Sequence, residues 1–203
     1  MRLESDEVVI LTRTLMAGGV CVGAYDVANS KMIRLLGPTA NRLTAEAPYE
    51  VGEVYSMAYA VRYKLSAPHT EDVAVYEAKC LGEYDTDDFD GLIDSLTDEL
   101  VNPGELFDGK PKWEPSGFIL PDDSPSFSVQ IASLECDLVK NGEHFEQKKW
   151  GVTIKRMKYV GEKPISQLPS IIRSGRRVRF SLARFWDKGD GVERAYLQIS
   201  GVY

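Results

Sequence analysis

The chain is written mostly in the two-residue period of β-strands. Val8-Val9-Ile10-Leu11 is an apolar run of buried-strand length. Val20 to Tyr25 and Met32 to Leu36 follow it across the loop Met16-Ala17-Gly18-Gly19 and the turn Asn29-Ser30. This order predicts a strand, a sharp loop and a hairpin. From Val54 to Leu65, Tyr55, Met57, Tyr59, Val61, Tyr63 and Leu65 alternate with Ser56, Ala58, Ala60, Arg62 and Lys64. Such alternation marks a half-buried antiparallel strand. Val73 to Leu81 supplies one more strand.

The period then changes. Phe89, Leu92, Ile93, Leu96 and Leu100 recur at steps of three and four, which predicts one amphipathic helix. Asp85, Thr86, Asp87 and Asp88 stand at its start, where an oxygen cap and negative charge suit the unpaired N–H groups. Asn102-Pro103-Gly104 is read as its end. Five of the ten prolines fall between 103 and 125, so this stretch reads as a connector.

Strand patterning returns afterwards. Val129 to Leu138 runs to a hairpin signal at Asn141-Gly142. Trp150, Val152 and Ile154 alternate with Gly151, Thr153 and Lys155, and a helical turn fits between Pro164 and Ser174. Val178, Phe180 and Leu182 alternate with Arg177, Arg179 and Ser181, which predicts one apolar and one cationic face. Ala195 to Ser200 closes the chain after the turn Asp187-Lys188-Gly189-Asp190-Gly191. The fold class expected is mainly β: two small barrels of about 80 residues, joined by an amphipathic helix and a proline-rich linker. The boundaries are 1–84, 85–124 and 125–203. A single mixed α+β domain is the rival.

Composition narrows the setting. Across 203 residues, 43% are hydrophobic and 27% charged, an ordinary globular balance. No apolar run approaches the ~20 residues of a membrane span. Glu4, Asp6 and Glu7 argue against a targeting leader. Three widely spaced cysteines, Cys21, Cys80 and Cys136, indicate neither a disulfide framework nor a zinc site, so a cytoplasmic location is expected.

The net charge of -7 hides an asymmetry. Residues 1–68 are balanced, residues 69–123 set sixteen acidic side chains against three basic ones, and residues 140–203 set fourteen basic against six acidic. The basic block either serves as a footprint for phosphate or is neutralised by the acidic middle of the same molecule. Both readings stand at this point.

Catalytic chemistry is sparse. Only His69 and His144 are present, with no Gly-x-Ser-x-Gly elbow, phosphate-binding loop or dinucleotide fingerprint. In a calcium-loop register starting at Thr86, Asp88, Asp90 and Gly91 fall at positions three, five and six. Thr86 and Thr97 then occupy positions one and twelve, which need acids. No catalytic residue, metal or cofactor is expected.

The functional signal lies in the last third. Lys148, Lys149 and Trp150, then Lys155, Arg156, Lys158 and Tyr159, interleave cations with rings. Arg173, Arg176, Arg177, Arg179, Arg184, Phe185 and Trp186 repeat the theme. Cations that follow phosphates and rings that stack bases are the two ingredients of single-strand binders. Barrel core or barrel mouth is the bland reading for Trp150 and Trp186.

One motif has a family character. Val8-Val9-Ile10-Leu11-Thr12-Arg13-Thr14, then Gly18-Gly19-Val20-Cys21-Val22-Gly23-Ala24-Tyr25-Asp26 and Met32-Ile33-Arg34-Leu35, resembles the opening of the bacterial dual OB-containing domain proteins. Ala195 to Ser200 is similar to the closing strand of that family. Met32 departs from the usual aromatic, and the closing strand lacks the usual polar-Asp-Pro ending. The resemblance implies two OB-like barrels and no established catalytic activity, often in mobile-element or defence-related settings.

The function expected is a non-enzymatic nucleic-acid-binding accessory module, single-stranded or backbone-reading. The alternative is a protein-interaction subunit of a larger complex, and a metal-dependent nuclease is a third reading. The candidate contacts are Arg13, Arg34, Lys148, Lys149, Trp150, Lys155, Arg156, Arg176, Arg177, Arg179, Arg184 and Trp186. Arg34 has a second reading as a cation satisfied within the fold. Nucleic acid and a protein are the candidate partners.

Overall fold

A computed structural model describes residues 2–16 and 18–203. The chain divides into two compact units, one of residues 1–66 and 70–92, the other of residues 67–69 and 93–203.

The first unit is a closed five-stranded barrel. Its strands are β1 (Arg2–Met16), β2 (Gly19–Asp26), β3 (Lys31–Leu36), β4 (Glu53–Val61) and β5 (Asp72–Glu83). They close in the order β1-β2-β3-β5-β4, with β1 pairing β4 and β3 running parallel to β5. Val8, Ile10, Val22, Ile33, Leu35, Met57 and Val73 fill the interior. The alternation over 54–65 holds as far as Tyr59, which is 1% exposed. Beyond it the strand stops at Val61, and Tyr63 and Leu65 are exposed.

Asp26 is the polar centre of this interior. Ser5 Oγ and Asn29 Nδ2 each donate to it at 2.8 Å, and the Tyr59 hydroxyl donates as well. Burial alone would raise the Asp26 carboxyl, but these donors outweigh it and hold the carboxyl below the usual range. Burial, and then the same bond, push the Tyr59 hydroxyl far above its ordinary value.

The boundary between units falls within α1 (Thr86–Ser95). Asp85 Oδ1 accepts the Asp87 N–H at 2.9 Å, the cap that the acidic run predicts. The helix is shorter than its periodicity suggests. It ends at Ser95, and the Thr97 hydroxyl donates to the Ile93 carbonyl at 2.6 Å. Leu96 and Leu100 therefore leave the helical face, and the chain continues as a strand.

The second unit contains β6 (Thr97–Val101), β7 (Lys112–Glu114), β8 (Ser116–Ile119), β9 (Val129–Leu134), β10 (Leu138–Asn141) and β11 (His144–Lys149). It continues with β12 (Val152–Tyr159), β13 (Ile171–Ile172), β14 (Arg177–Leu182), β15 (Trp186–Asp187) and β16 (Glu193–Val202). These form one eleven-stranded sheet with the main path β13-β10-β11-β12-β8-β16-β14-β9-β6. Phe145, Met157, Phe180, Leu197 and Ile199 form its core with Leu106, Phe107 and Ile119.

That core corrects the expected linker over 85–124. Residues 93–124 belong to the second unit and supply β6, β7 and β8. The prolines mark turns, but Leu106, Phe107 and Ile119 between them are fully buried. Burial of such side chains contributes about 1.5–3 kcal/mol each, enough to hold an irregular stretch against a sheet. Among the described residues, no helix is long and apolar enough to cross a membrane.

Candidate nucleic-acid interface

β12 and β16 set the geometry. On β16, Ala195, Leu197 and Ile199 are buried in the core, so the alternate positions Tyr196 and Gln198 face away from it. On β12, Met157 is 1% exposed, and its neighbours Arg156 and Lys158 take the other face. The two strands run parallel with Lys158 opposite Gln198, while β8 brings Ser116 opposite Arg156. β11 adds His144 opposite Lys158. The segment after β14 adds Ala183 and Arg184, and β15 adds Trp186.

These residues line a cavity of about 290 Å³. Arg156, Lys158 and Arg184 supply three cations, and Trp186 and Tyr196 supply two rings. Ser116 Oγ accepts from Arg156 Nε at 3.2 Å and Nη2 at 3.1 Å, which fixes the guanidinium plane at the wall. Lys158 Nζ lies 3.1 Å from Glu143 Oε2, both side chains being exposed. Such a surface pair is worth little in water. Trp186 is 60% exposed, so its ring is at the surface rather than in the core. Burial, and then the charges of Arg156 and Lys158, push the His144 imidazole below its ordinary value.

The other sequence candidates separate into groups. Lys148, Lys149 and Trp150 form the tip of the β11–β12 hairpin. Lys148 Nζ is 3.6 Å from Glu146 Oε2, and Lys149 Nζ is 4.8 Å from the Trp150 ring centroid. Trp150 is 92% exposed, which overturns the core reading for this ring. It also has a φ of 51°, a left-handed conformation costing a bulky residue roughly 1–2 kcal/mol. Lys155 turns elsewhere, with Nζ 5.5 Å from the Trp113 ring centroid and 3.4 Å from Asn102 Oδ1.

The expected cationic face of β14 does not form. Arg179 is 4% exposed and donates to Ser200 Oγ at 2.9 Å, on a central strand paired with β9 on one edge and β16 on the other. Arg177 pairs with Asp94 at 3.0 Å beside a second cavity of about 240 Å³. Arg176 is exposed in the turn before β14.

Arg13 and Arg34 belong to the first unit. Arg13 Nη2 donates to the Ala45 carbonyl at 2.5 Å. Arg34 Nε donates to Asp72 Oδ1, its register partner on parallel β5. Arg62 Nη1 approaches the other oxygen of Asp72 at 3.4 Å. Asp72 is 1% exposed, so Arg34 sits in an ion pair at the barrel wall, the structural one of its two readings.

Of the candidates, the cavity brings together Arg156, Arg184 and Trp186. Lys158 stood in the cation–aromatic segment but not among the candidates, and His144, Tyr196, Gln198 and Ser116 were missed. For Tyr196 and Gln198 the signal was present in the alternation with Ala195, Leu197 and Ile199. Ser116 was hidden by its place in the supposed connector.

The charge question has a partial answer within this unit. Arg177 pairs with Asp94 of the acidic segment. Lys148, Lys158, Arg173 and Arg194 pair with Glu146, Glu143, Asp137 and Asp190 instead. The block's own carboxylates, Glu143, Glu146 and Asp190, thus take three of these five cations, and six acids against fourteen bases leave it with a net positive charge.

The model of a family described as the dual OB-containing domain matches residues 6–202, and the chain belongs to that family. No curated protein and no solved structure matches it.

Proposed function

We propose that this dual OB-containing chain is a non-enzymatic nucleic-acid-binding module that holds a sugar–phosphate backbone on its C-terminal unit. The observation that carries the reading is the convergence of Arg156, Lys158 and Arg184 with Trp186 and Tyr196 on one cavity. Guanidinium and ammonium groups neutralise phosphates, and aromatic faces accept bases without sequence preference. OB folds commonly use a strand face and adjoining loops for oligonucleotides, the kind of surface assembled here. The module acts as an accessory subunit, and the settings implied by the resemblance make a bacterial defence or mobile-element system its proposed assembly. A cytoplasmic setting fits three cysteines that carry no disulfide.

The test is fluorescence anisotropy of the full chain with labelled single-stranded DNA and RNA across a salt series. Binding is expected to weaken linearly in log–log form, with a slope of about -0.7 per phosphate contact. Polyglutamate of matched charge serves as competitor. A flat anisotropy at low salt, or displacement by polyglutamate as efficient as by oligonucleotide, overturns the reading in favour of an acidic protein partner.

A further inference from the structure

Two bulky aromatic residues of the C-terminal unit occupy the left-handed region, and their surroundings differ. Phe107, with φ 51°, is fully buried and stacks on Phe127 with centroids 5.7 Å apart. Its N–H donates to Gln130 Oε1 at 2.8 Å. Packing and a hydrogen bond offset its backbone preference. Trp150, also with φ 51°, has no such offset, being 92% exposed. With Gly151, φ 79°, it forms the two-residue turn between Lys149 and Val152. Positive φ at both central positions is the type I′ geometry, which favours Asn-Gly or Gly-Gly. Neither folding nor burial favours a tryptophan there.

We infer that the β11–β12 tip is a base-stacking wedge, which makes single-stranded nucleic acid the ligand. Trp150 stacks on an unpaired nucleobase, and Lys148 and Lys149 hold the flanking phosphates. This rests on the nucleic-acid reading of the cavity. The lysines place positive charge beside the ring, with Lys149 Nζ at 4.8 Å from its centroid. β12 runs from the tip through exposed Val152 and Ile154 to Arg156 and Lys158 at the cavity. The five steps from Gly151 to Arg156 span about 17 Å at ~3.3 Å per residue. One strand of a few nucleotides therefore reaches both, within the ~4–16 that an OB fold engages. A base inside a duplex has both faces covered by its neighbours, whereas every base of an unpaired strand can offer a face to the ring. A neutral lipid surface or apolar protein groove would use Trp150, Val152 and Ile154 with no need of the cations along the same ribbon, and an anionic lipid surface, which would use both, is separated from nucleic acid by the vesicle arm of the test.

The experiment uses the full chain with labelled dT12, a 12-base-pair duplex, and vesicles of phosphatidylcholine with phosphatidylglycerol. Trp150→Ala is expected to weaken dT12 binding by roughly tenfold to a hundredfold. Trp150→Phe restores most of it, and neither change alters duplex binding or lowers the melting temperature. Lys158→Glu with Arg184→Glu weakens both nucleic acids. If the wild type binds neither, the cavity reading and the wedge fall together. If the double charge reversal abolishes dT12 binding while Trp150→Ala matches the wild type, the cavity reading stands and the wedge is overturned. Loss of vesicle binding in Trp150→Ala with dT12 binding intact also overturns it, by making the tip a membrane contact.

Discussion

The cations of the N-terminal barrel and those at the cavity of the C-terminal unit stand in contrasting surroundings. In the N-terminal barrel, Arg34 and Arg62 converge on Asp72, Arg2 meets Glu77, and Arg13 meets a backbone carbonyl. Arg34 and Asp72 are register partners on adjacent parallel strands, so the sheet itself brings the charges together. In the C-terminal unit, Arg156, Lys158 and Arg184 gather on an outer face beside Trp186 and Tyr196. Arg156 meets a hydroxyl there, and Lys158 meets an exposed carboxylate. A cation opposite a buried acid is part of the barrel, whereas the cavity cations are grouped beside rings at the surface. Charge counts along the chain do not distinguish the two cases.

The sharpest break of this comparison is Asp72→Asn. Removing one partner of a buried ion pair costs about 3–5 kcal/mol, so urea unfolding should show a loss of that order. Oligonucleotide binding by the folded fraction should stay within about twofold of wild type, since Asp72 and the cavity belong to different compact units. A large parallel loss of binding would instead place Arg34 in a contact surface.

Next comes Lys158→Glu with Arg184→Glu. Each lost phosphate contact should make the log–log salt slope shallower by about 0.7, or about 1.4 for the pair. Stability should move by less than about 0.5 kcal/mol, because both side chains are on the surface. Unfolding curves that shift markedly would assign these cations to the fold, as in the barrel.

Trp150→Gly should stabilise the protein by about 1 kcal/mol, since glycine adopts a positive φ without a Cβ clash. Thermal unfolding tests it, and a lower melting temperature would mean that the indole supports the fold.

The smallest effect is a pH dependence through His144. Its pKa lies below the ordinary 6.5 because of burial and the Arg156 and Lys158 charges, with Glu143 and Glu146 opposing them. The unfolded chain therefore takes up the proton first. Stability from this group is full above about 6.5 and declines as pH falls toward the folded value. In the same window, protonation adds positive charge to the cavity, and an oligonucleotide should bind more tightly by less than tenfold. His144→Gln should flatten both profiles, and an unchanged binding profile would remove His144 from the interface.

Much of the strand order was legible because inward positions alternate with outward ones. Tyr55, Met57 and Tyr59 show it on β4, and Ala195, Leu197 and Ile199 on β16. The helix length was not legible, since Leu96 and Leu100 keep a helical spacing while their backbone belongs to β6 and the approach to it. Proline density was also misleading, as turns and a buried core segment coexist between 93 and 124. For the site, the cation–aromatic composition of the last third was visible, but alternation failed on β14. Arg179 stands at an outward position when the strand is read alone, but in the folded unit it is 4% exposed and hydrogen-bonded to Ser200 of β16.

The sequence by itself determined a mainly β chain, a family-bearing opening motif and a basic, aromatic-rich last third. These depend on local periodicity and composition, which are properties of neighbouring residues. Only the tertiary structure decided that Arg34 is paired and Arg179 buried. It alone brought Ser116, His144, Arg156, Lys158, Arg184, Trp186 and Tyr196 to one cavity. Residues 80 apart become neighbours only through strand register, and register follows from the packing of the whole sheet rather than from any segment alone.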